Sequence, residues 1–361
     1  MVKLLGLMCA ALLAGCTTQS TTTTQAPLVY NPQEVALLLP ASHPHKTAAL
    51  KAGFEYAKNF AEEAGVRAPI SYKVYPVHHA AEVSRVYSQA ATTAGIVVGP
   101  LLKDQVQALK NMSSGSITTP VLLLNETTGR AVSELLIEFS LNLEEEMQAI
   151  AEELKGRGLQ QVLYISMPST LGQRQWTAFQ ATFKGQLKYA ELKPEQDLGK
   201  QLKTVLQYQE HKGGGGSVRQ DIQAIVLGLN AEHTRQVWPL LKFYYAGRYP
   251  TFMTTAAYSG RHNPGADLDV EGLILCDMPF MTNDTFTAAR GQAQQQWPTL
   301  DAYYGRLFAL GMDAYALSQH LPEVRQGTLA YHGATGVLQL VNGKIKRQLQ
   351  CATLKNTVGK E

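Results

Sequence analysis

Cysteine, net charge and long hydrophobic runs are all scarce in this chain, and each scarcity removes a class of protein. Four of the 361 residues are cysteine and the formal charge is +3. So few cysteines cannot build the dense disulfide framework of a miniature secreted fold. The 32 Lys and Arg are scattered, and the densest basic stretch, Lys344-Ile345-Lys346-Arg347, reads as one solvated strand face. A nucleic-acid partner, which needs clustered cations with interleaved aromatics, is not expected. Signature motifs of catalysis are missing as well: there is no G-x-S-x-G elbow, P-loop, G-x-G-x-x-G or H-E-x-x-H. His43 and His45 flank a proline, and His78 and His79 are adjacent, so neither pair has the i, i+4 spacing of a helical metal site. They read as solvated loop histidines. Cys276 sits in an apolar run with no base in sight. The sequence therefore predicts no catalytic residues, no metal and no cofactor, and a protein that is not an enzyme.

What is present begins at the amino terminus. Lys3 precedes an apolar run from Leu4 to Leu13, and Leu13-Ala14-Gly15-Cys16 closes it. About ten apolar residues cannot span a bilayer, which needs roughly twenty, but they match the core of a signal peptide. Small residues before a cysteine fit a lipoprotein processing site, so residues 1–15 read as a signal peptide and Cys16 as the lipidated, membrane-anchoring residue. Thr17, not Asp, follows the cysteine, which in enterobacterial-type sorting implies the outer membrane with the protein facing the periplasm. Residues 16–33 form a Thr/Ser/Gln-rich tether that cannot bury enough surface to fold. Cys9 leaves with the signal, so Cys276 and Cys351 remain. They pair if their strands are neighbours, or stay as two buried thiols.

The body alternates apolar, strand-like runs with helical patterns. Val35-Ala36-Leu37-Leu38-Leu39 reads as a buried strand, and Leu50, Phe54, Ala57, Ala61 and Ala64 follow at helical spacing. Similar units follow to Leu141, and a second series starts at Asn142, where Glu144 to Glu146 read as helix-capping and dipole-favoured carboxylates. Gly213 to Ser217 reads as a floppy surface loop. Asn342-Gly343 joins two alternating strands as a type I′ turn. Strands apolar on both faces and separated by helices predict parallel sheets covered on both sides. The expectation is an α/β, two-lobed fold like that of type I periplasmic binding proteins, each lobe a parallel sheet flanked by helices, with a C-terminal hairpin. Lobe 1 is expected over 34–139 plus 276–327 and lobe 2 over 140–275 plus 328–355. In such folds ligands meet strand C-termini. The candidate inter-lobe cleft residues are thus Ser42, His43, Gly99, Pro100, Asn125, Glu126, Ser166, Ser169, Asn230, Tyr258 and Ser259. Helix capping is the competing use for Ser169 and Asn125.

Certain strings carry a resemblance. Val35-Ala36-Leu37-Leu38-Leu39-Pro40, Gly53-Phe54-Glu55-Tyr56-Ala57-Lys58-Asn59 and Val98-Gly99-Pro100-Leu101-Leu102-Lys103 open it. Leu171-Gly172, Glu271-Gly272-Leu273 with Pro279, Leu310-Gly311-Met312-Asp313-Ala314-Tyr315 and Gly333-Ala334-Thr335-Gly336 continue it in order. Together they resemble the C-terminal domain of the penicillin-binding protein activator lipoproteins, over about residues 34 to 353. The resemblance implies a non-enzymatic outer-membrane lipoprotein that activates a class A penicillin-binding protein, a bifunctional peptidoglycan synthase, by direct protein contact. The alternative is a periplasmic solute-binding lipoprotein that takes a small polar ligand in the cleft. Family members carry a helical-repeat domain between lipid and this domain, and that segment has no counterpart in the sequence. Residues 17 to 33 reach at most about 60 Å when extended, and on the order of 20 to 25 Å as a relaxed coil.

Overall fold

In a computed structural model the described residues are 34–355, apart from 66–68, 130, 132, 259–268, 297–301 and 327–329. The signal sequence, Cys16 and the tether lie outside them, as does Ser259. Local sequence explains the elements. The Val35–Leu39 run, buried on both faces, forms β1 (Glu34–Pro40). Helix α1 (Pro44–Glu63) follows, with Pro44 in the first turn, where its missing N–H has no intrahelical partner to lose. The first series continues with β2 (Ser71–Val77), α2 (Val83–Ala90), β3 (Ile96–Val98), α3 (Lys103–Lys110), β4 (Val121–Leu123) and β5 (Leu136–Phe139). The second comprises α4 (Leu143–Gly156), β6 (Gln161–Ser166), α5 (Thr170–Thr182), β7 (Gln186–Glu191), α6 (Leu198–Val205), β8 (Gln209–Glu210), β9 (Gly216–Ser217), β10 (Ala224–Gly228), α7 (Ala231–Phe243), β11 (Thr251–Met253) and β12 (Ile274–Asp277). A return segment holds α8 (Pro279–Thr282), α9 (Thr287–Gln296), α10 (Ala302–Gln319) and α11 (Leu321–Arg325). Four strands end it: β13 (Tyr331–His332), β14 (Val337–Val341), β15 (Lys344–Gln348) and β16 (Gln350–Thr353).

Two sheets result. Their parallel parts have matching orders, β2-β1-β3-β4-β5 in the first lobe and β7-β6-β10-β11-β12 in the second. Each series is therefore doubly wound, as the alternating pattern predicts. In the first lobe Leu38, Val97 and Leu123 pack beneath Val86, Tyr87 and Val106 of α2 and α3. The second sheet is covered by Met147, Ile150 and Phe179 on one face and by Leu202, Val237 and Leu241 on the other. No helix among the described residues is long and apolar enough to cross a membrane.

The strings that carry the family resemblance do structural work. Helices α1 and α10 cross backbone to backbone: a β-carbon on Gly53 would stand 1.8 Å from the Phe308 carbonyl oxygen, and one on Gly311 would stand 2.0 Å from that of Leu50. Asp313, two residues on, is fully buried and accepts hydrogen bonds from Ala334 N (2.7 Å), Thr335 N (2.7 Å) and Thr335 Oγ1 (2.6 Å). That clamp fixes the loop between the first two terminal strands, β13 and β14. Burial raises its carboxyl to about 6 even against these donors.

The terminal hairpin departs from expectation. Its turn is as predicted, Asn342 and Gly343 both having positive φ (51° and 78°). However, β15 pairs in parallel with β5, so β13, β14 and β15 extend the first sheet, whereas the sequence pattern places residues 328–355 in the second lobe. Only β16 returns to the second sheet, antiparallel to β12. Strand β12 itself belongs to the second lobe, which moves that boundary past Asp277. The physical reason is an open edge: β5 presents unpaired backbone groups that β15 satisfies, and Lys344 at its start meets Glu126 and Glu138 of the first lobe. The chain thus passes between lobes after β5, after β12 and at Leu349. Cys276 and Cys351, opposite each other on β12 and β16, form a disulfide.

Candidate functional site

The expected cleft residues all follow strand C-termini, but most are already occupied within their own lobe. Ser42 and His43 follow β1, and Ser42 Oγ lies 2.9 Å from His43 Nδ1 in the open. Among the described residues no carboxylate is bonded to that ring. Gly99 and Pro100, joined by a cis peptide bond, are buried. A β-carbon on Gly99 would stand 2.1 Å from the Leu38 carbonyl oxygen, so glycine is required there by packing. Asn125 Nδ2 donates to Leu101 O at 3.0 Å, which ties the loops after β3 and β4 together. Glu126 pairs with Lys344 at 3.0 Å; burial opposes its ionisation, but Lys344 outweighs this and holds its pKa below the ordinary value.

In the second lobe, Ser169 caps α5 by accepting from Gly172 N (2.9 Å), and Asn230 caps α7 by accepting from His233 N (2.9 Å). Ser166 is buried beside the same Gly172, whose β-carbon would stand 3.0 Å from Ser166 Oγ. Tyr258 ends the short turn after β11, and Ser259 lies outside the described residues. The structure brings together Ser166 with Ser169, and Gly99 and Pro100 with Asn125. Of the solvent histidines, the backbone N–H groups of His78 and His79 donate to Glu82. Among the described residues there is no group of three or more His, Cys, Asp or Glu able to hold a metal ion.

Sequence reasoning missed the polar groups that join the lobes. At α4, Asn142 does cap the helix, accepting from Glu145 N at 2.9 Å. Glu145 and Glu146, however, are buried and reach other segments. Glu146 accepts from Thr255 N (2.5 Å) and Thr255 Oγ1 (2.8 Å). The Thr255 carbonyl in turn receives Arg306 Nη2 at 3.5 Å, and Arg306 grips Asp277 with Nη2 at 2.5 Å and Nε at 3.1 Å. Arg306 lies on α10, which packs on the first lobe, so this chain of bonds runs from one lobe to the other. Burial raises Glu146 to about 7, with Thr255 opposing. Glu145 forms a second clasp: its Oε2 accepts from Arg347 Nε on β15 at 2.8 Å. Its pKa is raised because burial outweighs the Arg347 charge. The signal available in the sequence was the run of three glutamates at one helix start, more than a dipole needs. The inter-lobe charges satisfy one another, so Arg306 is not a vacant receptor for an anionic solute.

Residues 21–357 match the family described as "LppC putative lipoprotein". The chain belongs to this family. It is 26% identical over 348 residues to the protein named penicillin-binding protein activator LpoA of Vibrio vulnificus, covering 86% of this chain and 55% of that one. It therefore spans about half the length of the curated LppC relatives it matches. Among solved structures, the Haemophilus influenzae LpoA C-domain, described as a regulator of PBP1A, superposes with a TM-score of 0.67 at 19% identity, covering 90% of this chain and 98% of that one. A Chromobacterium violaceum protein described as a "putative branched-chain amino acid ABC transporter" gives 0.69 at 22% identity, covering 89% and 99%. These two establish that the LppC chain has a periplasmic-binding-protein-like fold.

Proposed function

We propose that this LppC-family chain is a lipoprotein acylated on Cys16, held at the outer membrane and facing the periplasm, which stimulates a class A penicillin-binding protein by direct contact. The observation that carries this reading is the similarity to the V. vulnificus activator, which extends over 86% of the chain. The role is regulatory and needs no reaction by this protein.

The test uses the full chain in detergent with a purified class A synthase. Binding at micromolar concentration and a several-fold rise in glycan polymerisation or transpeptidation are expected. No binding at tens of micromolar and an unchanged rate would overturn the reading. In cells, Cys16→Ala should release the protein from the membrane fraction while leaving its stimulation in solution intact.

A further inference from the structure

The glycine run noted in the sequence has no part in the reading above. It turns the β8–β9 hairpin, with Gly213, Gly214 and Gly215 all at positive φ. Such angles are strained for any residue with a side chain. The hairpin lies against aromatic rings: a β-carbon on Gly216 would stand 2.2 Å from the Tyr208 ring, and one on Gly215 would touch the Tyr245 hydroxyl at 3.6 Å. Beside it α7 ends, and the chain leaves through Tyr245 in the left-handed conformation, φ 61°. That position after a helix favours glycine, because a β-carbon crowds the neighbouring carbonyl. Packing against the hairpin covers only part of the tyrosine. Tyr245 is 49% exposed, and Phe243, two residues earlier, is 72% exposed. Strain retained at a half-exposed ring points to a use for it.

Gly216, Lys242, Tyr245, Gly247 and Arg248 line an open pocket of about 400 Å³, a size suited to a small ligand. Part of its wall is glycine backbone, and the stem of Lys242 lies on Gly247. Lys242 and Arg248 are exposed, and among the described residues neither has a carboxylate within ion-pairing distance. Their charges rest instead beside rings, Lys242 Nζ 5.3 Å from the Trp238 centroid and the Arg248 guanidinium 4.9 Å from that of Tyr249. The pocket thus combines two exposed cations with no ion-pair partner among the described residues, a half-exposed ring and a wall built partly of glycine.

We propose that this pocket binds a sugar ring that carries a carboxylate, presented by a glycan strand. A pyranose offers a flat, positively polarised C–H face that stacks on the negative face of Tyr245, and its carboxylate would meet Lys242 and Arg248. Charge alone would attract an acidic peptide equally well. The glycine wall and the exposed ring favour a rigid cyclic ligand over a flexible one. The inference rests on the periplasmic placement proposed above, which brings the chain beside cell-wall glycan.

Isothermal titration of the full chain in detergent tests it, using soluble peptidoglycan glycan freed of its peptides, with neutral chitotetraose and a poly-glutamate peptide as comparisons. Saturable binding to the carboxylated glycan is expected. Lys242→Ala or Arg248→Ala should weaken it tenfold or more without altering the weaker uptake of chitotetraose. Tyr245→Gly, which relieves the strained backbone, should abolish binding while leaving the thermal midpoint unchanged or higher. Absence of saturable binding at millimolar glycan overturns the proposal. So does equal affinity for poly-glutamate, or a Tyr245→Gly variant that melts lower yet binds normally. Synthase stimulation measured on the same preparations separates the two readings. A chain that stimulates without binding glycan overturns only this inference, and one that binds glycan without stimulating overturns only the earlier one.

Discussion

Glu146 illustrates how one residue's burial sets a pH response. Its carboxyl sits wholly inside the protein with Thr255 as its hydrogen-bond donor, and burial lifts its pKa from 4.5 to about 7. The folded chain therefore holds this proton more tightly than the unfolded chain does. Folding takes up a proton between about pH 4.5 and 7, so this group's contribution to stability declines as pH rises through that window and is flat outside it. Glu146→Gln removes the titration. Urea denaturation at pH 8, 6 and 4.5 should show the parent gaining on the variant as pH falls, by up to about 3 kcal/mol in total. Other groups, Asp313 among them, contribute equally to both proteins and cancel. Parallel stability curves would sink the assignment.

Among the elements, the crossing of α1 and α10 is the contact most sensitive to a single atom. Gly311→Ala places a methyl group 2.0 Å from the Leu50 carbonyl, which belongs to helix backbone and cannot swing aside. The helices must separate, at a cost of about 3 kcal/mol in overpacking strain. Gly291→Ala on α9 is the control, since nothing lies within 4 Å of its added carbon. Alanine's helix propensity should there add about 1 kcal/mol. Chemical denaturation of both variants checks the pair of signs. This crossing also explains why the strings around Gly53 and Gly311 carry family resemblance without lining a site: they hold the return helix on the first lobe, and Asp313 on that helix fastens the loop between β13 and β14.

For the molecule as a whole, the closure between β12 and β16 matters most. The disulfide joins residues 75 positions apart, and the enclosed segment includes α10 and the hairpin that leaves the second lobe for the first. Cross-linking a loop of that length removes unfolded-chain entropy worth about 4 kcal/mol. Cys276→Ser with Cys351→Ser should lower stability by roughly that amount relative to the oxidised parent, and peptide mapping without reductant should recover the linked pair. If the double variant matches the parent in denaturant, the bond is not a constraint on folding.

The sequence by itself determined what depends on near neighbours. The β–α alternation, the caps at Asn142 and Ser169, and the Asn342-Gly343 turn each rest on residues close in sequence, so periodicity and residue type sufficed. The candidate cleft was legible as a set of loops, but not in its use: Asn230 and Ser169 spend their side chains on caps, and Gly99 is needed for packing. Only the tertiary structure decided which sheet edge the hairpin would take, that Thr255 would reach Glu146 across 109 positions, and that Arg347 would reach Glu145 across 202. Such partners are chosen by which buried surfaces meet once the lobes have formed. A carboxylate that looks like a capping charge in sequence becomes an inter-lobe clasp when another segment arrives to desolvate it.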